Sequence, residues 1–368
     1  MRVFGKKRGV ALLMAASLLL AACGSGGGSG GTSGSGSTGG GSGAGGEENK
    51  LVIYTARDKT VFEYVIPKFE EKYPEFKGNV QVLNMGAQEI LERVRAEKDN
   101  PQADFWWGGT QQALAQAAEE GLLEPAPSSV VEKVPAQYRD PEGRWVGEIL
   151  LPEVIMYNTD ALKPEEAPQD WDDLLDPKWK GKIIIRAVPA SGTMRTIYSA
   201  MIYRQYKEKG SVEAGYDWLR RLDANTKEYV ADPTTLYLKL ARQEGLVSLW
   251  NLQDILIQRE TKDMPFGYVM PASGAPILVD GVALIKGAKH PEAAKKFMEF
   301  LFEEELRLDL AANMYQIPTL EKLDPAKMPK WLAELELKPM DLDWKMLAEK
   351  EQEWIQYWDQ NIKGKGGQ

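Results

Sequence analysis

The chain is nearly without the two side chains that carry most protein chemistry near neutral pH. In 368 residues it has one cysteine, Cys23, and one histidine, His290. A lone cysteine excludes an internal disulfide. A lone histidine leaves too few parts for a His-built metal centre or a Ser-His-Asp triad. His290 precedes Pro291, a residue favoured at the first helical position, so it reads as a surface or capping residue. There is no Gly-x-Ser-x-Gly elbow between a strand and a helix, and paired carboxylates such as Asp172-Asp173 sit beside a helix start and read as solvated. These shortages leave an enzyme without its usual machinery. Long apolar runs are also missing. The stretch Val10 to Leu20 falls well short of the ~20 residues that span a bilayer as a helix. Positive charge is scarce too, with 45 Lys+Arg against 54 Asp+Glu and a formal charge of −9. An acidic surface argues against nucleic acid or anionic lipid as the principal partner.

What is present begins at the N-terminus. Arg2, Lys6, Lys7 and Arg8 precede the apolar run, and small residues follow it at Leu20-Ala21-Ala22-Cys23. A charged start, a short apolar core and small residues at a cut site read as an export signal. Leu20 to Cys23 resembles a bacterial lipobox. That resemblance implies a signal peptide over 1–22 and a mature chain starting at Cys23, acylated on its thiol and amine and so tied to a lipid bilayer. Acylation would remove the one thiol, and two or more acyl chains give stable anchoring. Gly24 to Gly46 holds only Gly, Ser, Thr and Ala. Residues 23–46 therefore read as a flexible tether with a reach of ~26 Å. The remainder, stripped of the four leading cations, carries about −13 and is long enough for two lobes.

From residue 50 the chain alternates strand and helix. Lys50 to Thr55, Asn79 to Asn84 and Ala103 to Trp107 read as strands. Helical spacing follows each, over Val61 to Tyr73, Gln88 to Lys98 and Gln111 to Glu120, the last closed by Gly121. That alternation predicts a parallel sheet with right-handed crossovers. Ligands in such sheets bind beyond the carboxyl ends of the strands, which points to Thr55 and Arg57, to Asn84 to Gly86, and to Gly108, Gly109 and Thr110. Glu148 to Asn158 is an apolar strand interrupted by Pro152, which a strand crossing between lobes tolerates. Ile183 to Arg186 is a further strand. Ser191, Gly192 and Thr193 then open a long helix, either as a plain cap or as an anion-holding start. Leu246 to Trp250 and Ile277 to Ile285 complete the strands, the latter containing Asp280. The tail, with Trp331, Trp344, Trp354 and Trp358, reads as helices packed on the body.

The segments Leu51 to Arg57, Phe105 to Thr110, Pro189 to Thr196 and above all Gly274 to Phe302 resemble the extracytoplasmic solute-binding proteins of ABC importers. The similarity runs in order from about residue 50 to residue 320. It is to the branch holding ferric-ion, sugar-phosphate and aminophosphonate binders. The resemblance implies an α/β, two-lobed periplasmic-binding-protein-like fold of type II. Each lobe would be a mostly parallel sheet flanked by helices, with crossing strands as the hinge. Residues 47–155 and 276–320 would form lobe 1, 156–275 lobe 2, and 321–368 C-terminal helices packed on the lobes. It further implies a monomer outside the cytoplasm, without cofactor or resident metal, that closes on a small-molecule ligand and meets a permease and its ATPase. Ferric binders of this branch use an adjacent tyrosine pair. Here Leu249-Trp250-Asn251 stands in that place, which disfavours iron, with Tyr54, Tyr198, Tyr237 and Tyr315 left as other phenols. The Ser191-Gly192-Thr193 triplet resembles the oxyanion loops of phosphate-ester binders. Arg57 and Arg195 can add charge-assisted hydrogen bonds. Trp107, Trp250 and Tyr157 can supply flat apolar contact, and Asp280 and Glu153 can bind a hydroxyl or an amine. The expected ligand is a small organic phosphate or phosphonate. Rival readings are an enzyme or a sensory lipoprotein on the same fold.

Overall fold

The computed structural model describes residues 49–366; the expected signal peptide over 1–22, the expected tether over 23–46 and the expected acylation site Cys23 lie outside the described residues. The described strands are β1 (Leu51–Thr55), β2 (Val80–Asn84), β3 (Phe105–Thr110), β4 (Leu123–Glu124), β5 (Val146–Asn158), β6 (Ile183–Arg186), β7 (Thr226–Val230), β8 (Val247–Asn251), β9 (Phe266–Val269), β10 (Ile277–Ile285) and β11 (Ile317–Pro318). The longer helices are α1 (Lys59–Lys72), α2 (Ala87–Ala96), α3 (Gln111–Glu119), α4 (Gly192–Lys209), α5 (Val212–Asn225), α6 (Pro233–Ala241), α7 (Leu252–Lys262), α8 (Pro291–Leu301), α9 (Glu304–Asn313) and α10 (Trp344–Asn361).

The main strand order is β2-β1-β3-β10-β5-β8-β6-β7. Parallel pairing holds at the flanks, where β1 joins β2 and β3, and where β6 joins β7 and β8. Every antiparallel ladder contains β5 or β10. These two strands therefore stitch two crossover sheets into one. Within β5, Val146 to Pro152 pairs with β10, and Glu153 to Tyr157 pairs with β8. Pro152, which has no N–H to give, sits where one ladder ends and the other begins.

Each half has its own core. β1 is buried along its whole length, as a strand covered on both faces must be. On one face Val61, Val65 and Phe69 of α1 meet Phe297 and Leu301 of α8. On the other, Ile90 and Leu91 of α2 meet Leu114 and Ala117 of α3. In the second half β6 lies against Met194 and Ile197 of α4, Leu219 of α5, and Leu347, Trp354 and Trp358 of α10. Rings lock this packing: Trp358 meets Tyr198 edge-on at 5.0 Å and Tyr229 at 5.3 Å. The Trp-rich tail is thus part of the second core.

Three details depart from the expectations. β3 does not stop at Trp107 but runs to Thr110, because Gly109 and Thr110 pair with Gly281 and Asp280 of β10. β7, with its polar TKEYV sequence, is held at the sheet's edge by parallel pairing with β6. α7 follows β8 directly, with the Asn251 side chain accepting from Asp254 N.

Candidate functional site

A cavity of about 380 Å³ opens between the two sheets, bounded by strand tips from both. Six helices begin on its wall: Asp58, Gly86, Thr110, Ser191, Asp232 and Asn251, the N-caps of α1, α2, α3, α4, α6 and α7, all line it. Helix starts carry unpaired N–H groups and the positive end of the macrodipole, so their convergence favours a negatively charged guest.

The halves touch around this cavity. A Cβ placed on Gly192 would lie 2.5 Å from Thr110 Cγ2, and one on Gly86 would lie 2.2 Å from the Ala190 carbonyl oxygen. Each contact joins a residue of the first half to one of the second. The rims of the cavity are therefore closed.

The charges fall into two groups. One is a buried cluster behind the wall. Arg57 Nη2 donates to Glu148 Oε2 at 2.5 Å and lies 2.7 Å from Asp280 Oδ1. Arg307 Nη1 donates to Glu148 Oε1 at 2.6 Å, and Trp107 Nε1 donates to Oε2 at 2.8 Å. Burial alone would raise the Glu148 carboxyl, but the Arg57 and Arg307 guanidiniums outweigh it and hold it below its ordinary value. Asp280 goes the other way: burial, with Glu148 and Asp254 nearby, lifts it to about 7 despite Arg57.

The second group faces the cavity itself. Arg186, the last residue of β6, lines the wall with its Nε buried and without a hydrogen-bond partner. It makes no ion pair among the described residues, and burial lowers its basicity against the distant pull of Glu89 and Asp232. The same cavity holds a knot of neutral donors. Asp254 accepts from Trp250 Nε1 at 3.1 Å, Asn251 Nδ2 at 2.9 Å and the Tyr237 hydroxyl at 3.2 Å. Burial first, then the Asp58 carboxylate, raises Asp254 to about 6 in spite of these donors.

Of the residues expected at the site, Arg57, Thr110, Ser191, Gly192, Thr193, Trp250 and Asp280 line the cavity together. Thr55, Gly108 and Gly109 stand behind it. Thr55 Oγ1 accepts from Arg57 N. Gly108, at φ +86°, lets its backbone lie against the Arg57 side chain, and Gly109 abuts Leu114. The two glycines are strand, not tip: Gly109 pairs with Gly281 of β10, and Gly108 is the bulge between that pair and Trp107–Val282. Arg195 turns away: its Nε donates to Glu351 of α10 at 2.7 Å. Trp107 and Tyr157 are core side chains. Arg186, Asp232 and Asp254 went unmarked in the sequence, and Tyr237 stood there only among the phenols open to iron. Arg186 was readable, since it ends a strand. Asp254 was hidden because α7 itself was not foreseen.

Residues 103–344 match the family described as bacterial extracellular solute-binding protein. The chain belongs to that family. A Haemophilus influenzae protein without an assigned function is 30% identical over 70% of this chain and 74% of its own length. Iron uptake protein A1 of Synechocystis is 29% identical, over 74% of this chain and 77% of that one. Among solved structures, the periplasmic binding protein AfuA of Actinobacillus pleuropneumoniae, with exogenous fructose-6-phosphate bound, superposes with a TM-score of 0.73 at 28% identity, covering 85% of this chain and 98% of that one.

Proposed function

We propose that this chain is the membrane-tethered solute-binding component of an ABC importer, and that its cavity takes a small organic anion bearing a phosphate or phosphonate. The observation that carries the reading is Arg186: a guanidinium without an acidic partner among the described residues, lining the same cavity as the start of α4 at Gly192 and Thr193. Planar guanidinium donors and helix N–H groups are the pairing that phosphoryl oxygens satisfy. The relative solved with fructose-6-phosphate supports the same class. Iron is the weaker reading although an iron uptake protein is among the relatives. Of the phenols left open by the sequence, Tyr237 lines the cavity and shares Asp254 with Trp250. Tyr54 instead donates to Glu97, and Tyr198 packs on Trp358.

In this reading Cys23 carries the acyl chains and 23–46 is the leash, after removal of 1–22. No described helix is long and apolar enough to cross a membrane. Residues 47–155 and 276–320 act as lobe 1 and 156–275 as lobe 2, with β5 and β10 as the hinge and the C-terminal helices riding on lobe 2. The protein acts as a monomer and binds without catalysing. Ligand bound by both lobes favours the closed state, which a permease can select. A thermal-shift screen of small metabolites tests the class. Sugar phosphates or phosphonates should raise the unfolding temperature by mass action. A shift with ferric salts alone, accompanied by a visible phenolate-to-iron band, would overturn it.

A further inference from the structure

The family match ends at Trp344, the first residue of α10, and the chain around that point is tied to both halves. The ties begin ahead of the helix. Lys338 O accepts from Ala275 N at 2.7 Å, and Met340 N donates to Ala275 O at 2.8 Å. Pro339 thus lies parallel to Ala275, two residues before the shared strand β10. Gly274, at φ +104°, permits this approach, since a Cβ there would come 3.1 Å from Met340 Cα. The Met340 side chain is itself buried in the second core. The segment therefore runs from that core to the entrance of one of the two strands that must flex when the cavity opens.

Trp344 makes the same bridge with its side chain. It packs on the second core and also on a separate small cluster of Ile149, Leu151 and Leu278. Those three sit on both shared strands, Ile149 and Leu151 on β5 and Leu278 opposite Leu151 on β10. Leu151 and Leu278 line the cavity, and Trp344 stands outside it. Beyond Trp344, α10 packs on α4 of the second half and on α3 of the first. The contact with α4 is fastened by the buried Arg195–Glu351 pair at 2.7 Å, and by Trp354 and Trp358 in the core. No ion pair joins α10 to α3 among the described residues. α10 therefore travels with α4, and α3 is the side that lets go. Since α3 and α4 begin at Thr110 and Ser191, on the touching rims, opening the cavity must also draw α3 off α10 and shear Trp344 against its leucines. Apolar surface given up to water opposes that motion.

We propose that residues 338–344 and α10 form a strap that holds the two halves closed, with Trp344 as a positioning residue that acts on the ligand through Leu151 and Leu278. The strap presupposes the two-lobed binding reading above and adds to it a control on affinity from outside the cavity. A ligand that needs both walls binds with its intrinsic affinity reduced by the fraction of protein that is closed. Loosening the strap therefore weakens every ligand by one common factor. A residue that touches the ligand instead changes the ratio between ligands.

Small-angle X-ray scattering of the ligand-free wild type and Trp344→Ala tests the strap directly. The variant is expected to have the larger radius of gyration. Calorimetric titration of both proteins with fructose 6-phosphate and with methylphosphonate gives the second readout. Trp344→Ala should weaken both probes by the same factor, about fivefold or more, the lower end of coupling between distant sites. A saturating probe should return the variant to the wild-type radius. Unfolding temperatures check that the variant folds, and Trp344→Leu, a milder truncation, decides the matter if it does not. Equal radii of gyration without ligand overturn the strap and leave the anion reading standing. Unequal factors for the two probes overturn it as well, because they make Trp344 a ligand contact. If neither probe binds the wild type, it is the anion reading that fails, and scattering alone decides the strap.

Discussion

Glu148 is the residue on which the first half's buried charge turns. It is fully enclosed and accepts from Arg57, Arg307 and Trp107. Replacing it by glutamine keeps the shape but leaves the interior Arg307 guanidinium without its acidic partner and Arg57 with Asp280 alone. Breaking a buried pair from one side costs about 3–5 kcal/mol, so Glu148→Gln should lose about that much stability in denaturant unfolding. A loss below about 1 kcal/mol would mean that water reaches the cluster and screens it. Asp280 makes a prediction in pH. Its folded value of about 7 lies above the ~3.9 of an unfolded aspartate, so the folded state holds a proton that the unfolded chain has released. The stability this confers is full below pH ~4 and is lost as pH rises through about 7. Ligand-free protein should therefore unfold at a lower temperature at pH 8 than at pH 5, and Asp280→Asn should flatten that slope. An identical slope in the variant would assign the pH dependence to other groups.

At the scale of elements, α10 does more than cover the body. Trp354 and Trp358 are among the largest fully buried side chains, and Glu351 of the same helix holds Arg195 of α4. Large-to-small changes at such positions typically cost about 3–5 kcal/mol. Trp354→Ala should therefore destabilise the protein by about that much, and removal of α10 should expose the second core. A nearly neutral Trp354→Ala would make the tail an ornament. The strands and helices of the first half were legible because apolar spacing and glycine punctuation agree there. β7 was not, since Thr226-Lys227-Glu228-Tyr229-Val230 is a polar edge whose strand state comes from pairing with β6. α7 was missed because it starts without a break after β8. The site was legible wherever it lay at a strand tip or helix start, as with Arg57, Thr110 and Ser191. It misled where direction mattered: sequence placed Arg195 one helical turn from Ser191, but only packing sends it toward α10.

At the scale of the molecule, the two sheets share β5 and β10, so any opening of the cavity must flex those strands. The closed rims depend on two bare backbones. Gly192→Ala would set a methyl 2.5 Å from Thr110 Cγ2, a distance that forces the rims apart. This variant should keep its unfolding temperature within a few degrees yet lose at least about tenfold in ligand affinity, because contacts from one lobe alone cannot hold the closed population. Unchanged affinity would mean that ligand is held by one wall. The central claim, that the cavity recognises an anion through Arg186, is tested most directly by calorimetric titration of the wild type and Arg186→Gln with sugar phosphates and phosphonates. The wild type should bind at least one such compound saturably, and the variant roughly 10- to 100-fold more weakly, the range of a hydrogen bond to a charged group. Equal binding by the two proteins, or heat with ferric salts alone, would contradict it.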